Sequence, residues 1–402
     1  MERLSALLGL GVFIGFAYIT SVNRKAVRWQ PVLWGFSLQI VFALLILRTA
    51  IGFRIFSWIG GLVGAFLDFS DAGASFVFGE NFQDFFFAFK VLPTIVFFSA
   101  VISVLYHYGI LQWVVGAIAR VMMRTMKTSG SETLSAAGNI FVGQTEAPLL
   151  IKPYVATMTM SELHAVMTGG FATVAGGVLA AYVSFGIPAE HLIAASVMSA
   201  PAALAISKIM FPETETSPTK GTVEIEVEKV SANGVDAIAS GALDGLKLAL
   251  NVGAVIIAFL GILAALNAFL SFLGGLFGYP ALSFEVILAA LLAPVAWLMG
   301  VPVADCNAVG ALLGTKTIIN EFIGYLNLQE LIESEAISER AAIIATYALC
   351  GFANIGSIGI QIGGIGGIAP NRRADLSRLG FRAMIAGTLA CFTTACIAGI
   401  LL

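Results

Sequence analysis

GNIFVGQTEAPLLIKPY, residues 138–154, is the stretch on which the fold turns. Asn139, Gln144, Thr145 and Glu146 sit in the middle of an otherwise apolar run. Gly143 and Pro148 bracket the last three. Pro148 lacks an N–H and clashes with the preceding turn, so the spacing predicts an interrupted helix. The surrounding chain removes the option of an ordinary solvated loop. Of its 402 residues 58% are hydrophobic and 11% charged, with a mean hydropathy of +0.94. A soluble chain carries roughly 25% charged residues. The polar surface is too small to cover a globule in water, and the solvent must be lipid.

A bilayer span needs about 20 apolar residues. Runs of that kind lie near 4–20, 31–49, 90–107, 161–184, 191–210, 247–273, 340–369 and 379–402. The stretches 51–69, 109–125, 131–155, 281–299 and 301–328 are interrupted by Gly, Pro or charge and read as interfacial helices or re-entrant hairpins. The first run has no small-residue cleavage site behind it and is not a signal peptide. The predicted class is an all-α polytopic membrane protein with eight transmembrane helices, two re-entrant helical hairpins and interfacial helices.

Positive charge orients such a chain. Arg24, Lys25 and Arg28, then Arg120, Arg124 and Lys127, then Lys220 and Lys229, then Arg372, Arg373, Arg378 and Arg382 fall in every second connection. Those connections are expected in the cytoplasm and both termini outside; Arg48, Arg54 and Arg340 go against the pattern. The net charge of −3 carries no basic patch for nucleic acid. The four cysteines, Cys306, Cys350, Cys391 and Cys396, match no metal framework and read as small packing residues.

The polar stretch 212–236 separates two halves whose elements follow in one order. Each half has a span, an interfacial stretch, a hydrophobic hairpin holding Glu146 or Glu321, a Ser-Glu pair (161–162 or 338–339), and GFATVAG (170–176) or GFANIGS (351–357). A final span closes each. The predicted organisation is peripheral helices over 1–88, a first repeat over 89–211, a cytoplasmic linker over 212–240 and a second repeat over 241–402. The alternation at 223–230 could form a short strand. The two repeats enter the membrane from opposite sides, an inverted repeat common among secondary transporters, whose paired interrupted helices bind substrate and ion.

The chemistry concentrates at those interruptions. A carboxylate at the bilayer centre costs about 2.5–3.5 kcal/mol, so Glu146 and Glu321 mark either a ligand site or ion pairs with Lys152 and Lys316. Gln144 and Thr145 offer donors and acceptors suited to a heterocycle edge, or cap the hairpin. Phe352, Asn354 and Ser357 combine an aromatic face with polar partners, as a sugar requires; Phe352 could equally be packing. Asn139 and Thr173 supply neutral oxygens suited to a hard monovalent cation, or bond between helices. His107, His164 and His191 read as solvated histidines at helix ends. Neither a nucleophile–base pair nor a Walker-type loop is present, so no enzyme activity and no organic cofactor are expected. Energy should come from an ion gradient.

GQTEAPLLIKPY (143–154), GGFATVAGGVLAAYVSFG (169–186), TIINEF (317–322) and YALCGFANIGSIGIQIGG (347–364) resemble the signatures of the concentrative nucleoside transporters, from about residue 30 to the C-terminus. The resemblance implies a homotrimer importing nucleosides with Na+ by an elevator-like movement. It implies nucleobase contacts from Gln144, Thr145, Glu146 and Val178, and ribose contacts from Glu321, Asn354 and Ser357 beside Phe352. The sodium site falls on Asn139, Thr173 and the carbonyls of Val142 and Val174. Pyrimidine nucleosides such as uridine are expected to be preferred, with Gly143 leaving room for some purines. Gly177 stands where relatives have serine. The chain lacks the extra N-terminal helices and tail of animal members, which suggests a bacterial inner membrane with periplasmic termini. Coupling to protons through Glu146 or Glu321 is the alternative; a channel is the more distant one.

Overall fold

The computed structural model describes residues 1–221 and 231–402, and among them the secondary structure is entirely helical. The stretch read as a possible strand, 223–230, lies outside the described residues. In chain order the helices are α1 (Glu2–Ile19), α2 (Trp29–Arg48), α3 (Ala50–Leu67), α4 (Ser70–Phe78), α5 (Leu92–His107), α6 (Ile110–Met126), α7 (Gly130–Gly138), α8 (Lys152–Val155), α9 (Met160–Ala172), α10 (Gly176–Ser184), α11 (Ala189–Met210), α12 (Gly234–Leu276), α13 (Phe284–Leu298), α14 (Cys306–Ile318), α15 (Glu321–Glu333), α16 (Glu339–Leu349), α17 (Ile355–Ile368) and α18 (Arg373–Leu401).

Among the described residues, eight stretches are long and apolar enough to cross a membrane. Seven lie where the hydropathy places them. The eighth, Ala50–Phe78, contains the segment 51–69 that reads as interfacial from its Gly and Arg content. The run 340–369 is divided into α16 and α17, of 11 and 14 residues, at the Gly-rich motif 351–357. Hydropathy cannot see that division, because Cys350–Ala353 are as apolar as a helix. α12, at 43 residues, is about 65 Å long at 1.5 Å per residue. That is twice a hydrocarbon core of about 30 Å, so its N-terminal turns, with Asp236, Asp244 and Lys247, extend beyond the apolar layer.

Burial separates an inner body from a periphery. The most apolar windows of α11 and α18 are 89% and 78% buried, against 11% for α12. α12 lies along α5, where Gly241 and Gly245 admit Ser99 and Ser103 so closely that a Cβ would stand 2.5–2.8 Å from them.

The halves correspond element by element. α5, α6, the hairpin α7–α8, the broken pair α9/α10 and α11 match α12, α13, the hairpin α14–α15, the broken pair α16/α17 and α18. Hydrogen bonds fix the ends from which the hairpins enter. At one end Gly130 N–H donates to Thr219 O (3.0 Å), Val22 N–H to Met210 O (3.0 Å), and Arg372 Nη1 to Met158 O (2.6 Å). At the other, Ser338 Oγ donates to Asp305 Oδ2 (2.5 Å), and Arg340 Nη2 to Gly399 O (2.6 Å). The first hairpin is therefore rooted at the end holding Arg24, Arg372 and Arg382, and the second at the end where Arg3 Nη2 meets Leu402 O (2.7 Å). Their tips both reach the break between α16 and α17, Gln144 bonding Ser357 and Glu321 bonding Asn354. Arg340, an exception to the charge pattern, caps the last carbonyls of α18 and pairs with Glu2 (3.2 Å).

The polar linker begins as a fastened segment. Ser217 and Thr219 are buried. Glu162 Oε1 accepts from Ser217 (2.5 Å) and Ser131 (3.3 Å), and Ser131 N–H donates to Thr219 Oγ1 (3.2 Å). Lys208, 5% exposed, pairs with Glu132 (2.6 Å) and donates to Ser161 Oγ (2.8 Å). Residues 211–221 thus join the root of the first hairpin to α9 and α11. The same packing corrects the reading of His164, which is wholly buried, stacks on Phe211 at 5.4 Å and bonds Ser207 Oγ at 2.7 Å.

Candidate functional site

The first hairpin ends its ascending helix at Gly138 and returns through residues 139–146. α9 stops at Ala172 and α10 starts at Gly176, leaving Thr173–Ala175 extended. In the second half α16 stops at Leu349 and α17 starts at Ile355, with Asn354 as its cap: Ser357 N–H donates to Asn354 Oδ1 at 2.8 Å. The two breaks cross. Phe352 N–H donates to Thr173 O (3.2 Å). Gly351 makes the crossing possible. Its φ of 151° disfavours a side chain, and a Cβ would stand 2.6 Å from Phe171 O and 2.7 Å from Cys391 Sγ.

A polar set bridges the halves at this crossing. Gln144 Nε2 donates to Ser357 Oγ (3.3 Å), and Gln361 Nε2 donates to Gln144 Oε1 (3.0 Å). Glu321 accepts from Asn354 Nδ2 (3.1 Å) and from Tyr182 Oη (3.1 Å). Gln144, Glu321, Asn354 and Ser357 are all buried. Lys316, the ion-pair partner considered for Glu321, donates instead to Ala348 O (2.8 Å). Glu321 thus accepts its hydrogen bonds from neutral donors.

Other expected residues stand differently. Thr145 packs on α17, where a Cβ on Gly364 would stand 2.6 Å from its Cγ2. Glu146 is exposed, and its carboxylate folds back over Gly143. A Cβ on Gly143 would be 2.3 Å from Glu146 Oε2 and 3.0 Å from Ala175 Cβ. The space above Gly143, read as room for a larger base, is filled by that carboxylate. Val178 is 3% exposed, within the apolar cluster. Phe352 is half-buried, its ring against the same cluster. Gly177 faces α5, with Ser99 Oγ 3.3 Å from where a Cβ would stand, so a hydroxyl from a neighbouring helix occupies this neighbourhood.

Beside the first break lies a second constellation. Asn139 is 1% exposed, and neither its Oδ1 nor its Nδ2 has a hydrogen-bond partner among the described residues. One turn earlier Ser135 Oγ is also buried without one. Thr173 Oγ1 donates to Gly169 O (2.9 Å), which leaves its lone pairs free. The carbonyls of Val142 and Val174, both buried, accept no backbone hydrogen bond among the described residues. An unmade hydrogen bond at a buried polar group costs about 1–3 kcal/mol. Neutral oxygens left unpaired in one place suit a hard monovalent cation. The described residues hold no cluster of three or more His, Cys, Asp or Glu that would take a transition metal.

Tyr182, Gln361 and Ser135 are absent from the sequence-based list. Gln361 is the only polar side chain between Ser357 and Asn371, a signal that was available. Tyr182 and Ser135 carry no such mark, because their roles depend on which helices cross.

Three family models cover the chain: Na+ dependent nucleoside transporter N-terminus over residues 8–81, nucleoside recognition over 88–189, and Na+ dependent nucleoside transporter C-terminus over 191–399. Solute carrier family 28 member 3 of Homo sapiens is 48% identical over 415 residues, covering 100% of this chain and 60% of its own. Sodium/nucleoside cotransporter 1 of Mus musculus is 49% identical over 414 residues, covering 100% of this chain and 64% of its own. This chain thus spans somewhat under two thirds of the length of these curated relatives. CNTnw in an inward-facing substrate-bound state superposes with a TM-score of 0.95 at 40% identity, over 100% of this chain and 98% of that one. A substituted CNTnw in an outward-facing state gives 0.94 at 39%, with the same coverage. These relatives are transporters rather than enzymes. With models matched from residue 8 to 399 and both halves' breaks in place, this chain belongs to the Na+ dependent nucleoside transporter family.

Proposed function

We propose that this chain is a sodium-coupled nucleoside symporter that prefers pyrimidine nucleosides such as uridine. The observation that carries the reading is the polar bridge from Gln144 to Ser357 and from Asn354 to Glu321, buried in a chain that is otherwise apolar. Gln144 and Thr145 face the base, with Glu146 at the rim and Val178 behind. Glu321, Asn354 and Ser357, beside Phe352, take the ribose hydroxyls. A charged acceptor held only by neutral donors binds a hydroxyl strongly, and charge-assisted hydrogen bonds are about twice as strong as neutral ones.

Na+ travels as the coupled ion at Asn139, Thr173 and the carbonyls of Val142 and Val174. The unpartnered amide of Asn139 supports this assignment. The set contains no titratable side chain, which favours an alkali ion over a proton. Both re-entrant hairpins and their broken helices move together past the peripheral helices α5 and α12 as an elevator. In support, CNTnw has been solved in inward-facing, outward-facing and intermediate states. Three copies assemble in a bacterial inner membrane, with both termini on the periplasmic side and the basic connections in the cytoplasm.

Reconstitution into proteoliposomes tests the reading. Radiolabelled uridine should accumulate saturably under an inward sodium gradient, and unlabelled uridine should compete better than guanosine. Accumulation driven by a pH gradient alone would establish the proton-coupled alternative. Non-saturable flux would indicate a channel.

A further inference from the structure

Gln361 stands on α17, one turn beyond Ser357, and is wholly buried. Its Nε2 lies 3.1 Å from the backbone carbonyl of Met167 on α9 and 3.0 Å from Oε1 of Gln144. A backbone carbonyl can only accept a hydrogen bond, whereas an amide nitrogen offers two hydrogens. The Met167 carbonyl therefore fixes which end of the Gln361 amide faces α9, because the reverse orientation would set oxygen against oxygen. With its NH2 so placed, Gln361 directs its second hydrogen at Gln144, and Gln144 must turn its own oxygen inward. The other end of that amide, Nε2, is left on the side of Ser357 Oγ, 3.3 Å away. Gly170 provides the room. A Cβ there would stand 2.8 Å from Gln144 Cβ and 2.9 Å from Gln361 Nε2.

Resting on the reading of Gln144 as a nucleobase contact, we infer that Gln361 is a specificity-determining positioning residue. It relays the polarity of the Met167 carbonyl to Gln144 and holds that amide with its donor toward the substrate. The site then accepts a carbonyl at the base edge and rejects an amino group there, where donor would meet donor. This replaces the sequence-level expectation that Gln144 presents donor and acceptor alike. Uridine and cytidine are the probe pair, since they differ at one ring position by a carbonyl against an amine of similar size.

The experiment is competition by uridine and cytidine against radiolabelled uridine, on the purified full chain in sodium. A buried donor–donor mismatch should make the native protein prefer uridine by about ten-fold. The Oε1 of Gln361 has no partner among the described residues, so Gln361→Met, of similar length, removes only the two donor bonds. In Gln361→Met the Gln144 amide is free to turn, and the preference should fall to about two-fold or less. Gln144→Glu, with Gln361 kept, presents only acceptors and should favour cytidine. This second variant decides the matter if Gln361→Met does not fold. A native-like uridine preference in Gln361→Met, or in Gln144→Glu, would overturn the relay while leaving nucleoside binding intact. Absence of any nucleoside binding by the native chain would overturn the underlying reading with it.

Discussion

Two neutral donors, Tyr182 and Asn354, hold the Glu321 carboxylate, and this decides how its loss should be felt. Glu321→Ala takes away the acceptor of both Tyr182 and Asn354. It should abolish uridine uptake while the chain still folds and elutes as the native protein does. Near-native uptake by that variant would remove Glu321 from the ribose site. Tyr182→Phe deletes one of the two hydrogen bonds to the carboxylate and should weaken uridine binding about ten-fold, corresponding to roughly 1.5 kcal/mol; equilibrium binding reads the difference. Gln144, Glu321, Asn354 and Ser357 were legible in the sequence because a polar side chain amid lipid-soluble neighbours is costly and so conspicuous. Tyr182 was not, since a tyrosine in an apolar helix is commonplace until the crossing helix supplies Glu321. His164 was misread for a related reason: a helix start that looks solvated in the sequence lies under Phe211 and the fastened segment.

Between residues and the whole chain stand the hairpins, and their roots are asymmetric. The second is closed by Ser338 on Asp305 near a surface, whereas the first is bound by a buried ion pair, Lys208–Glu132, with Glu213 of the 211–221 segment also against Lys208 at 3.8 Å. Removing one partner of a buried pair typically costs about 3–5 kcal/mol, because the other charge is left uncompensated. Lys208→Met should therefore lower the melting temperature in detergent, and adding Glu132→Gln should recover much of the loss. Equal stability of Lys208→Met and the native chain would show that the ion pair does not fasten the hairpin. The breaks were legible where Gly143 and Pro148 announce them. The second break was visible only as a Gly-rich motif inside an apparent span, because the hydropathy of Cys350–Ala353 does not change across it. α3 is the converse case: its apolar content is long enough for a span, but α3 ends at Leu67 and α4 begins at Ser70, with Lys90 paired to Asp68 and Asp71 at the junction.

For the whole molecule, the order of elements predicts an inverted repeat, and the two hairpins root at opposite ends of the helical body. The proposed cation constellation abuts the proposed substrate set through one short loop, since Asn139 and Gln144 are separated by Ile140–Gly143. A cation ordering that loop would lower the cost of admitting the nucleoside. Linkage then requires that sodium raise nucleoside affinity and nucleoside raise sodium affinity by the same factor. The measurement that tests this is uridine binding to the purified chain with sodium replaced isosmotically by choline. Affinity should fall on replacement in the native chain, and Asn139→Ala should lose most of that sodium dependence. Undiminished uridine affinity in choline, together with uptake driven by a pH gradient, would contradict sodium coupling.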